Sequence, residues 1–170
     1  MHIYLAVPGE IDSIMSLIKD AIQKMEREGI HQWDEIYPTK EIFSADIAAG
    51  SLFAARLGNG IAGIMVLNVE QSQEYNSLSW GDAHGKPLIV HRLCVNPVFQ
   101  GQGIATKLMQ FAENYARENK YSSIRLDAFI NNKISVGLYD SLGYQRTGIV
   151  QFRKGEFYCY EKVLWYKNER

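Results

Sequence analysis

Between Val95 and Lys107 the chain reads Asn-Pro-Val-Phe-Gln-Gly-Gln-Gly-Ile-Ala-Thr, with a strand-like apolar run behind it and a helix-like run ahead. Gly101 and Gly103 let the backbone bend sharply and let a ligand come close. The helix that follows opens with N–H groups that have no internal partner, and its dipole places positive charge at the same end. Gln100, Gly101, Gln102, Gly103, Ile104, Ala105 and Thr106 are therefore a candidate anion cradle, best suited to a phosphate or diphosphate. The same residues also fit an ordinary strand-to-helix turn, because short glycine motifs recur by chance. A P-loop would need a Gly-Lys-Ser/Thr ending, which is absent. A dinucleotide fingerprint wants a small residue where Thr106 stands. It also wants a turn directly after the strand, where the five residues Asn96–Gln100 intervene.

A second group lies in "NNKISVGLYDSLGY". Asn132 suits the N-cap of a short helix. Tyr139, seven residues on, falls about two turns along and on roughly the same side. Its hydroxyl suits a proton donor, and its ring equally suits packing. Leu138 and Leu142 form an i, i+4 apolar pair expected to face the core. His91, two residues after Ile89 on a strand, shares its sheet face. An imidazole, with its ordinary pKa of about 6.5, suits a base near neutrality and equally a structural role at a strand edge. Cys94 and Cys159 sit in strand-like runs outside any CxxC or Cys/His cluster, as reduced core thiols do, and no metal is expected.

Elements that place these groups follow from periodicity. His2–Val7 alternates as a strand, and Ile11, Ile14, Met15, Ile18, Ala21, Ile22 and Met25 mark an amphipathic helix closed by Gly29. His31–Thr39 is an aromatic and polar loop, and Lys40 to about Ala49 a second helix. Ser51–Leu57 and Ile61–Val69 flank Gly58-Asn59-Gly60, a hairpin signal. After a polar loop over Gln71–Lys86 comes the apolar strand Leu88–Val95, then a helix marked by Ile104, Leu108, Phe111, Ala112 and Tyr115. Ser123–Phe129 is a strand, Asn132–Leu142 a short helix, and Tyr144–Phe152 and Glu156–Trp165 two closing strands. The order predicts one mixed α+β domain over 1–170, with a sheet of about seven strands flanked by about four helices.

The totals agree with that class. The 170 residues are 46% hydrophobic and 22% charged, and 18 Lys and Arg against 19 Asp and Glu leave a net charge of −1. No basic excess points to nucleic acid or an anionic membrane, and no apolar run reaches the length of a membrane span. The stretch "MHIYLAVPGE" has no basic run followed by a long apolar one, so no secretory signal is expected. A cytoplasmic location is expected.

The chain resembles the GNAT superfamily of acyl-CoA-dependent N-acyltransferases. "HRLCVNPVFQGQGIATKLM" is similar to its Gln/Arg-x-x-Gly-x-Gly/Ala motif, with Gln100, Gly103 and Ala105 in the defining places. "IRLDAFINNKISVGLYDSLGY" is similar to its strand, Asn, then Leu-Tyr-x-x-x-Gly-Tyr/Phe pattern. The resemblance implies direct acetyl transfer from acetyl-CoA to a small-molecule or peptide amine, without a metal. The cofactor arm would pair with the main chain at Leu93 and Val95, and its diphosphate would rest on Gln100–Thr106. Asn132 would contact the arm, Tyr139 would lie near the sulfur as general acid, and the Val95 N–H would face the oxyanion. His91 is the expected base, with Asp127, Glu35 and Asp82 as alternatives through water. Trp33 and Tyr37, with Phe157, Tyr158 and Tyr160, are expected at the acceptor, and equally fit ordinary core packing. Relatives often pair as homodimers. A non-catalytic acyl-CoA sensor is the rival reading. An acyl-enzyme through Cys94 is disfavoured, because alternation turns it from the Leu93 and Val95 face.

Overall fold

The computed structural model describes residues 1–164; Trp165, assigned by pattern to the last strand, lies outside the described residues. The strands are β1 (His2–Leu5), β2 (Leu52–Leu57), β3 (Gly60–Asn68), β4 (Pro87–Val95), β5 (Ser123–Phe129), β6 (Gln145–Phe152) and β7 (Gly155–Val163). The helices are α1 (Ile11–Arg27), α2 (Lys40–Ala48), α3 (Ile104–Glu118) and α4 (Lys133–Ser141). Order and type agree with the periodicity. The hydrogen-bonded strand order is β1-β2-β3-β4-β5-β7-β6, a mixed α+β sheet of seven strands. The pairs β1/β2, β2/β3, β5/β7 and β6/β7 are antiparallel, and β4/β5 is parallel. No described helix is long and apolar enough to cross a membrane.

The chain forms two compact units. One comprises Met1–Leu67 and His91–Met109, the other residues 68–90 together with the described residues from 110 to 164. In the first, α1 buries Ile14, Leu17, Ile18 and Ala21. They join Phe43 and Ile47 of α2, Leu52 and Ala54 of β2, and Ile64 and Val66 of β3 in one cluster. Each of the larger side chains among them contributes about 1.5–3 kcal/mol when taken from water. Gly63 on β3 makes close packing possible: a Cβ there would lie 3.0 Å from the Cys94 carbonyl and 3.0 Å from Leu108 Cδ1. Thr39 caps α2, its hydroxyl accepting the Ile42 N–H at 3.3 Å.

In the second unit β7 pairs along the whole of β5, from Ser123↔Val163 to Phe129↔Phe157. The β4/β5 register runs from Pro87↔Ser123 to Ile89↔Arg125, two residues short of Asp127. A loop with a 3-10 turn at Gln73–Ser77 is tied down by Arg125 and Glu161, which form a buried ion pair at 3.2 Å. Arg125 donates to Gln71 Oε1 at 2.8 Å and to the Asp82 carbonyl at 2.7 Å. Glu161 accepts the Gly81 N–H at 2.7 Å. The polar loop over Gln71–Lys86 is thus a fixed strap.

Candidate active site

The glycine turn lies in the first unit. β4 ends at Val95, and Asn96 turns the chain by bonding back to β3: its N–H reaches the Ala62 carbonyl at 2.8 Å and its Nδ2 the Ile61 carbonyl at 3.2 Å. Its Oδ1 accepts the Val98 N–H at 3.2 Å, opening a single 3-10 turn, Pro97–Phe99. The Gln100 amide then reaches the Val95 carbonyl at 3.5 Å, while Lys24 of α1 donates to its Oε1. Gly101 and Gly103 adopt φ of +77° and +75°, a left-handed backbone that side chains disfavour. A Cβ at either would meet nothing within 4 Å, so the space before them is open.

The Lys107 N–H bonds to the Gly103 carbonyl at 3.1 Å. Helical geometry therefore leaves the N–H groups of Ile104, Ala105 and Thr106 facing outward without an intrahelical partner. Ile104, 3% exposed, anchors this turn in the core, while Ala105 and Thr106 stay half-buried and Gln102 is exposed. These features suit an anion.

On β4, Arg92 carries φ +49°, rare for a residue with a side chain. It interrupts the pleat, so the alternation that relates His91 to Ile89 does not carry through to Leu93. His91, Leu93 and Val95 are half-buried, and Cys94 is turned into the core cluster. Arg92 is held by Asp46 of α2 at 2.9 and 2.7 Å and by the Tyr37 hydroxyl at 3.0 Å. Tyr37 is therefore tied to β4. Trp33 is 8% exposed within the core cluster, which leaves little of its ring for an acceptor. Glu35 is exposed.

The tyrosine and its surroundings lie in the second unit. Asn132 caps α4, its Oδ1 accepting the Ser135 N–H at 3.2 Å. The buried face of α4 is formed by Val136 and Tyr139; Leu138 and Leu142, expected there, are only half-buried. The helix turns the tyrosine, not the leucine pair, inward. Tyr139 packs against Tyr144 and Tyr160, with ring centroids 6.1 and 5.6 Å apart. Burial, with Asp127 and Tyr160 nearby, holds its hydroxyl well above the ordinary phenol range, so it stays protonated at neutral pH. Of the expected acceptor aromatics, Phe157 and Tyr160 are 8% and 0% exposed, and Tyr158 is half-buried under the Arg146 guanidinium. Asp82 bonds to Ser122.

Asp127 has the most unusual environment. It is half-buried on β5, where every other residue is buried. Its Oδ2 accepts the Tyr75 hydroxyl proton at 2.7 Å. Burial pushes its carboxyl up to about 6, against a smaller opposing pull from that hydrogen bond. Sequence alternation alone carried no sign of Tyr75, which reaches Asp127 from the strap. No cluster of His, Cys, Asp or Glu suited to a metal ion occurs among the described residues.

The acetyltransferase (GNAT) family model matches residues 16–144. The uncharacterized N-acetyltransferase YesJ of Bacillus subtilis is 26% identical over 146 residues, covering 84% of this chain and 81% of that protein. A GNAT-family acetyltransferase structure from Streptococcus agalactiae superposes with a TM-score of 0.86 at 26% identity, covering 97% of this chain and 96% of that one. The PaiA N-acetyltransferase from Thermoplasma acidophilum, solved in complex with coenzyme A, shares the fold with a TM-score of 0.73 at 13% identity, covering 96% and 98% of the two chains.

Proposed function

The chain belongs to the acetyltransferase (GNAT) family and is an N-acetyltransferase, and from that premise we propose direct acetyl transfer from acetyl-CoA to a primary amine. The observation that carries the donor assignment is the left-handed turn at Gly101 and Gly103, open in front and followed by outward N–H groups of α3. A diphosphate fits there, because the main chain from Gln100 to Thr106 offers donors and no side chain on the glycines obstructs them. The coenzyme A complex of PaiA supports the same choice of ligand. The main chain at Leu93 and Val95 and the capping Asn132 would hold the pantetheine arm.

Bound acetyl-CoA supplies a thioester carbonyl activated toward amines. The protein has three tasks around it. The Val95 N–H would stabilise the developing oxyanion. Tyr139, which stays protonated, would donate to the departing sulfur. A base must take one proton from the acceptor, because an ammonium with a pKa of about 10.4 is charged at neutrality. His91 and Asp127 are the two groups proposed for that task. The acceptor is read as a small-molecule or peptide amine, with Tyr37 as the candidate contact and Trp33, in the core cluster, packed behind it rather than open to it. The reading places the protein in the cytoplasm, where acetyl-CoA and reduced thiols are both found.

The test is a thiol-release assay with acetyl-CoA against a panel of polyamines, amino acids, aminoglycosides and peptides, run beside calorimetric titration of CoA. Binding with release for one amine class supports the reading and names the class. Absence of CoA binding would overturn it.

A further inference from the structure

We propose that Asp127 is the general base of the transfer, oriented by Tyr75, which deepens the acetyl-transfer reading and rests on it. Three observations carry the assignment. Asp127 is the one residue of β5 that keeps some solvent exposure, on a strand that is otherwise closed. Its register on the β4 side lies beyond the last β4/β5 pair, Ile89↔Arg125. Oδ2 takes the Tyr75 hydroxyl at 2.7 Å, while Oδ1 makes no hydrogen bond to a described residue. A carboxylate held this way, with no cation paired to it among the described residues, is costly to keep in a fold unless it has a use.

Among the described residues, the groups around it leave it the only acid there suited to changing charge near neutrality. The strap supplies Tyr75, α4 supplies Tyr139, and β7 supplies Cys159 directly opposite. Burial raises all three above their ordinary values, so each stays neutral. Arg125, two residues back on the same strand, is committed to Glu161, Gln71 and the Asp82 carbonyl. Tyr75 is itself fixed: its carbonyl accepts Trp80 Nε1 at 3.0 Å, and Arg125 lies 4.3 Å over the Trp80 ring. Two neighbouring titratable groups with separated proton affinities, Asp127 and Tyr139, make an acid–base pair.

The protons balance. One leaves the ammonium for the Asp127 carboxylate and then passes to solvent. The neutral amine forms the N–C bond as the C–S bond breaks, with the electron pair going to sulfur. Tyr139 protonates the sulfur and recovers a proton from the nitrogen as the amide forms. The net products are the acetamide, the free thiol of CoA and one proton.

The test compares Asp127→Asn, Asp127→Glu, Tyr75→Phe and His91→Ala with the wild type. It measures kcat/KM against pH with the amine that releases thiol, together with CoA affinity. Asp127→Asn is expected to bind CoA unchanged, lose turnover about 100- to 10,000-fold, and lose the acidic limb of the profile. Asp127→Glu should restore part of the rate. Tyr75→Phe removes a donor that favours the carboxylate, so its limb should move to higher pH. His91→Ala should retain the limb. A limb erased by His91→Ala and kept by Asp127→Asn would overturn the assignment in favour of His91. Turnover within a few-fold of wild type in Asp127→Asn would overturn it as well. Failure of the wild type to bind CoA would instead strike the acetyl-transfer reading, and this assignment with it.

Discussion

Arg92 and Asp46 meet fork to fork, Nε 2.9 Å from Oδ2 and Nη2 2.7 Å from Oδ1, with both side chains nearly out of water. The pair fastens α2 to the one residue of β4 whose backbone is left-handed. That conformation costs about 1–3 kcal/mol for a residue with a Cβ, and it persists because the surrounding contacts over-determine it. The bent backbone runs directly into Leu93 and Val95, the segment proposed to receive the cofactor arm.

Removing one partner leaves the other charge buried. Arg92→Ala should therefore destabilise the protein by about 3–5 kcal/mol in urea unfolding. Arg92→Lys should recover only part, because an ammonium cannot bond both carboxylate oxygens and Tyr37 in one plane. A loss below about 1 kcal/mol in Arg92→Ala would mean that the left-handed backbone at this position holds without the clamp.

Gly103 has room for a side chain but not the backbone for one. Gly103→Leu should cost about 1–2 kcal/mol of stability, the ordinary penalty for a left-handed non-glycine residue. Its CoA affinity should fall at least about tenfold, roughly 1.4 kcal/mol, because the new side chain enters the space proposed for the diphosphate. Unchanged affinity by calorimetry would remove the diphosphate from this turn.

Tyr139→Phe keeps the ring against Tyr144 and Tyr160 and deletes only the hydroxyl. Turnover should drop about 100-fold or more with CoA affinity and melting temperature nearly unchanged. Parallel losses in rate and affinity would speak for a binding role and against proton donation.

Asp127 also makes a prediction about stability, with a definite sign. Its folded carboxyl is raised from 3.8 to about 6, so folding disfavours the charged form. As pH rises from 4 through 6, the wild type should lose stability relative to Asp127→Asn, and the gap should then stay level. The shift corresponds to about 3 kcal/mol at most, and partial solvent access reduces that to about 1–2 kcal/mol. Denaturant titrations at pH 4 and pH 8 measure it. A gap between the two proteins that is the same at pH 4 and pH 8 would mean that Asp127 ionises without strain.

Much of this architecture is local and so legible in the order of residues. Alternation located β5 to the residue, and the glycine turn with the Asn132 cap was visible because each is set by its own neighbours. Three features were not legible, for one shared reason. The left-handed Arg92 depends on Asp46 and Tyr37, 46 and 55 residues away. The state of Asp127 depends on Tyr75, 52 residues away. Trp33 suits an acceptor contact and core packing equally in the sequence, and its place in the core cluster is decided by tertiary neighbours. Tertiary partners decided each case, and no periodicity carries such information. On α4 the i, i+4 leucines were a fair guess, but the helix rotates to bury Val136 and Tyr139.

The two cysteines have a practical meaning. Cys94 is 8% exposed and Cys159 fully buried, and burial pushes both thiols up to about 12. Only a thiolate attacks a disulfide reagent, so the folded enzyme is nearly silent in the colour reaction that counts free CoA. Signal that accrues with substrate therefore reports turnover. In a blank without substrate, a slow release of two equivalents per chain would time the opening of the core itself.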